Sequence, residues 1–138
     1  MREGEGVVVE LDSACVERFG PYGTGCQHGL GHGLMEYAGA ERVSTALTLC
    51  EKTTRVAALI GCSSGVFMEY HAPLAQVGTD GRVPIPPFEA HDPYKPCPRV
   101  ADEFQASCFY ELGRWWTNVI GIESFAEMGA LCAAAPEE

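Results

Sequence analysis

Cys15-Val-Glu-Arg-Phe-Gly-Pro-Tyr-Gly-Thr-Gly-Cys26 is the stretch on which the fold turns. Two cysteines stand 11 residues apart, and the glycines and proline of 20–25 mark a turn between them. The arrangement recurs: Cys50 and Cys62 are 12 apart, and Cys97 and Cys108 are 11 apart. First members at 15, 50, 97 and 132 give intervals of 35, 47 and 35, which is a 35-residue repeat with about 12 residues inserted in its second copy. Cys132 has no mate. Its partner in this scheme would fall past the last residue, so the expectation is a fragment of a longer array with further repeats missing, in which Met1 need not be a natural start.

Paired zinc ligands are usually separated by two to four residues, and no two cysteines here are. Pairs 11 or 12 apart suit a disulfide that staples a helical hairpin. Closing such a loop contributes roughly 3 kcal/mol by the chain-entropy estimate. Disulfides in turn imply an oxidising compartment, periplasmic or extracellular.

Composition bounds the rest. The chain has 138 residues, 46 % of them hydrophobic and 20 % charged, which suits one domain with a real core. A net charge of −10 would be repelled by a phosphate backbone, so nucleic acid is not an expected partner. Apolar runs such as Val56-Ala-Ala-Leu-Ile60 are far too short for a membrane span. A protein or small-molecule ligand remains.

Outward from the first cysteine pair, residues 1–10 read as a frayed lead-in or the tail of a missing repeat, and Leu11 to Phe19 as a short helix. A second helix runs from the turn to Gly39, where glycine can take the left-handed conformation that ends helices. Val43, Ala46, Leu47 and Cys50 fall at i, i+3, i+4 and i+7, one apolar stripe. Cys62 opens another short helix, in which Met68-Glu-Tyr70 repeats Met35-Glu-Tyr37. Residues 72–98 hold seven of the nine prolines and interrupt the pattern, either as a solvated decoration or as a lid or rim. Phe109, Leu112, Trp116 and Ile120 then give an apolar helical face, on which Trp115 and Trp116 do not both turn inward. Ser124-Phe-Ala-Glu127 reads as a capping box, followed by Phe125, Met128, Leu131 and Cys132 facing the core. The expected fold is all-α: stacked helical hairpins sharing a continuous core in the manner of an α-solenoid.

A period near 35, helix pairs and one cysteine pair per repeat resemble the Sel1-like and tetratricopeptide repeat proteins, in particular their cysteine-rich secreted members. The residues that carry the likeness are Ala14-Cys15 with Gly25-Cys26 and Gly29-Leu30-Gly31, Leu49-Cys50 with Gly61-Cys62, and Ser107-Cys108 with Leu112-Gly113. The resemblance implies a binding module without catalysis. It does not account for the histidines of Cys26-Gln-His-Gly-Leu-Gly-His-Gly-Leu-Met-Glu-Tyr37.

On a helical wheel His28, His32 and Glu36 share about 80° of arc, while Leu30, Leu34 and Tyr37 gather opposite. Two histidines at i and i+4 are spaced for one metal ion. Glycines at 29, 31 and 33 cost a helix on the order of 3 kcal/mol in total, which suggests close approach by another helix or by a flat ligand. Glu69, the repeat counterpart of Glu36, and His71 are candidate fellow ligands. His91 in the insertion is a candidate cap. Such a set suits zinc, iron or manganese, and one histidine with glycines beside it suits heme. Three readings follow: a binding module with this ligand face, a metal- or heme-dependent enzyme using the same residues, and a structural array in which the face is idle.

Overall fold

The computed structural model describes residues 2–54, 59–73, 81 and 85–136. These residues form helices α1 (Arg2–Phe19), α2 (Thr24–Ala38), α3 (Val43–Cys50), α4 (Cys62–His71), α5 (Asp102–Val119) and α6 (Phe125–Ala133), and no strand is found among them. The fold is all-α, and three disulfides tie it: Cys15–Cys26, Cys50–Cys62 and Cys97–Cys108. No described helix is long and apolar enough to cross a membrane.

The first two disulfides staple α1 to α2 and α3 to α4. The third is different: Cys97 lies in a single 3-10 turn, Cys97–Arg99, so the bond fastens a non-helical segment onto α5. Cys132 is a free, exposed thiol.

Helix α4 is the centre of the packing and lies against α2, α3 and α5. Around it the core gathers Leu34, Met35, Ala38, Ala46, Leu47, Val66, Phe67, Phe104 and Leu112. The α3 stripe is as the spacing predicts: Ala46, Leu47 and Cys50 are buried and Val43 is half-buried.

Helix α1 starts at Arg2 rather than near Leu11. Its buried line is Val8, Asp12 and Cys15, at i, i+4 and i+7, and an aspartate in mid-stripe hides that periodicity from an apolar count. Asp12 is buried because it is bonded. Gln27 of α2 donates its amide to one carboxylate oxygen, and the Thr54 backbone N–H donates to the other. Helix α2 is also rotated from the expected phase. It buries Gln27, Gly31, Leu34, Met35 and Ala38, whereas Tyr37 is 80 % exposed.

Trp115 and Trp116 are both buried, contrary to the expectation that at most one turns inward. The reason lies outside α5. Residues 85–96 cross that helix as turns and extended chain, and cover a flank that periodicity alone leaves open. Trp115 Nε1 donates to the Pro86 carbonyl at 3.3 Å, and Trp116 Nε1 to that of Pro93 at 3.1 Å. Tyr94 packs against Phe109 and Trp116 and donates its hydroxyl to the Leu131 carbonyl. This part of the proline-rich stretch is therefore a strap on the core. Residues 74–80 and 82–84 of the stretch lie outside the described residues.

Two expectations about α6 fail. Ser124 makes no side-chain cap bond, and Phe125 is 70 % exposed, with Cys132 exposed as well. Helix α6 packs chiefly on α5, so it buries a narrow line through Met128 with Leu131 half-covered.

Candidate functional site

The site begins with two glycines. A Cβ on Gly31 of α2 would overlap the Cys62 carbonyl, and a Cβ on Gly65 of α4 would overlap the His28 carbonyl. Helices α2 and α4 thus meet main chain to main chain, closer than any other residue allows. Gly29 and Gly33 have open space where a side chain would stand, so the helix contact accounts for Gly31 alone of the three.

That approach brings the histidines of α2 onto polar groups of α4. His32 Nδ1 lies 2.8 Å from the Glu69 carboxylate, and His28 Nδ1 lies 2.8 Å from Ser64 Oγ. The two Nε2 atoms then face each other at 3.2 Å, with the rings edge to face. Ser64 is fully buried and accepts the Gly61 backbone N–H, so it is fixed at the start of α4. Glu69 is 5 % exposed and His32 19 %. Burial, then the neighbouring His32 and the Arg114 guanidinium, holds the His28 imidazole below the usual histidine range.

Proton placement follows from the partners. A carboxylate only accepts, so His32 carries hydrogen on Nδ1 and presents a lone pair at Nε2. Ser64 can bond in two senses. If its hydroxyl donates to the Gly61 carbonyl at 3.1 Å, His28 also donates from Nδ1, and two lone pairs oppose each other. A cation between them, a proton or a metal ion, then holds the pair together. If Ser64 donates to His28 instead, an unbroken donor chain runs Ser64, His28, His32, Glu69.

His28 opens onto a cleft of about 600 Å³ between α2, α4 and α5, walled by Met68, Tyr110, Glu111 and Arg114. Burial pushes the Glu111 carboxyl up, against the opposing pull of Arg114 and His32. Arg114 reaches the Met68 sulfur at 3.1 Å.

Of the residues singled out in the sequence, the structure brings His28, His32 and Glu69 together. Glu36 is exposed. His71 lies at the far end of α4, stacked on Trp115 rather than beside the pair. His91 is 83 % exposed and stands 3.5 Å from Glu89. Among the described residues no group of three His, Cys, Asp or Glu side chains is gathered for one metal ion. Sequence reading missed Ser64, Glu111 and Arg114. Glu111 had a usable signal, because it occupies the i+3 position of the buried stripe Cys108, Glu111, Leu112, Trp115, where an apolar residue is the rule.

No family model matches the chain, nor does any curated protein or solved structure.

Proposed function

We propose that the protein is a disulfide-stapled helical-repeat binding module of the periplasm or the extracellular space, holding one divalent transition metal, zinc or iron, between His28 and His32. The observation that carries this is the pair of Nε2 atoms 3.2 Å apart, with both Nδ1 atoms engaged by Ser64 and Glu69. Two nitrogen ligands of a tetrahedral ion, each at 2.0–2.1 Å, stand about 3.3–3.4 Å from one another, close to the separation of the two Nε2 atoms. A carboxylate on the remote nitrogen is the usual outer support of a metal-bound imidazole. The lowered His28 favours the neutral ring that a metal requires.

His28 also lines the cleft, from which a small-molecule or protein ligand beside Glu111 and Arg114 would supply further ligands to the ion. An ion suits the geometry better than heme. The Nε2 atoms point at each other rather than at a plane, and the space against Gly31 is filled by α4. The stapled helix pairs and the exposed Val7, Leu11 and Phe125 support the repeat reading, with neighbouring units covering those side chains.

The test is zinc and ferrous titration of the oxidised protein. One ion per chain is expected, absent from the His28→Ala/His32→Ala double variant and weakened roughly 10- to 100-fold in Glu69→Gln. Sub-stoichiometric binding, or equal binding by the double variant, refutes the metal site. A metal-dependent enzyme is the second reading, favoured by Glu111, whose raised carboxyl suits a general acid. It requires metal-dependent turnover on a panel of activated esters, and Glu111→Gln must abolish turnover while leaving the metal bound.

A further inference from the structure

Glu111 and Arg114 stand one turn apart on α5 and carry opposite charges, a spacing at which such side chains commonly pair. Here they do not. Arg114 turns to α4, where the one polar contact of its guanidinium among the described residues is the Met68 sulfur at 3.1 Å. A thioether is a weak acceptor for a group with five donors. Glu111 is 6 % exposed, and its carboxyl makes no hydrogen bond or ion pair with a described residue. Among the described residues the only sealed side-chain polar atom without a partner is His71 Nε2, so the Glu111 oxygens keep access to the cleft they line with Arg114. Burial pushes the Glu111 carboxyl up and Arg114 only opposes this, so its charge is short of solvation that a cation in the cleft would restore. Ile60, Met68 and Tyr110 give the same cleft an apolar flank.

We infer that the cleft binds a zwitterionic α-amino acid, its ammonium on Glu111, its carboxylate on Arg114 and an apolar side chain against Ile60, Met68 and Tyr110. This names the ligand class of the binding-module reading, and it rests on the cleft being the ligand site rather than on the ion. Cβ atoms one helical turn apart are about 5–6 Å from each other, so a ligand that joins them carries its two charges close together. A lone anion would meet Glu111 and a net charge of −10, and a lone amine would meet Arg114. A zwitterion satisfies both groups and adds no net charge. The guanidinium can take the carboxylate through two parallel N–H donors. A volume of about 600 Å³ is that of a small-molecule site and leaves room for the side chain.

The oxidised, full-length protein, stripped of metal, is titrated calorimetrically with phenylalanine, 3-phenylpropanoate and phenethylamine, which share a ring and differ in their charges. Phenylalanine is expected to bind roughly tenfold or more tighter than either analogue, the effect of one charge-assisted hydrogen bond. Glu111→Gln should remove its advantage over 3-phenylpropanoate, and Arg114→Met its advantage over phenethylamine. The proposal is overturned if phenylalanine does not bind at millimolar concentration, if either analogue matches it, or if the preferences survive the substitutions. Should Glu111→Gln fail to fold, Arg114→Met decides, because that side chain is exposed. Phenylalanine binding by a chain that takes up no zinc would support this inference and refute the ion, and zinc uptake without phenylalanine binding would do the reverse.

Discussion

Helix α4 serves histidines in opposite circumstances at its two ends. Near its start, Ser64 and Glu69 receive His28 and His32, and each Nδ1 has a polar partner 2.8 Å away. At its end, His71 is buried more deeply than either, among aromatic rings, with no hydrogen-bond partner for Nε2 among the described residues. Burial is thus not what sets an imidazole's role here. Partners on one nitrogen hold the other against its neighbour, whereas burial among apolar neighbours holds the ring neutral.

The strongest way to break this contrast is to separate α2 from α4. Gly31→Val places methyl groups on the Cys62 carbonyl and the Val66 amide, so stability should fall by about 3 kcal/mol or more, with metal binding lost alongside. Urea unfolding of the oxidised protein checks it, and a midpoint like that of the native chain would remove the main-chain contact as the origin of the site. The next effect isolates the far end of α4. His71 titrates near 6.5 when unfolded and at about 4 when folded, so between those values the unfolded chain binds more protons. Stability contributed by the neutral ring is complete above pH 6.5 and declines by about 3 kcal/mol as pH falls to 4. His71→Phe should flatten most of that slope in pH-dependent denaturation, leaving the smaller slope of the same sign from His28. A slope unaltered by the substitution would show that His71 is not buried neutral. The smallest effect sharpens the account of the glycines: Gly33→Ala meets open space on the exposed side of α2 and should raise stability by ~0.5–1 kcal/mol. A loss measured by thermal unfolding would mean that Gly33, too, has a close neighbour.

Regular spacing was readable. The cysteine intervals pointed to the three bonds, and the i, i+4 histidines to one half of the site. What escaped the sequence did so for physical reasons. Asp12 and Glu111 interrupt buried stripes because specific partners, or a polar cleft, offset their burial, and an apolar count sees only gaps. Trp115 and Trp116 are both covered because a strap from outside the helical pattern lies over α5, and helix periodicity carries no information about a chain segment that crosses it. Ser64 is a serine in a short helix, and nothing in its sequence neighbourhood marks it. Its role comes from the depth to which two distant glycines let two helices approach.

Those glycines also fix a ruler. The separation between the helix that carries the histidines and the one that carries Ser64 and Glu69 is gauged by backbone atoms touching backbone atoms at Gly31 and Gly65. Side-chain volumes elsewhere in the core can drift, and the gauge does not move with them. The imidazole pair and its two supports are accordingly registered to one another by main chain, at the two points where the helices touch.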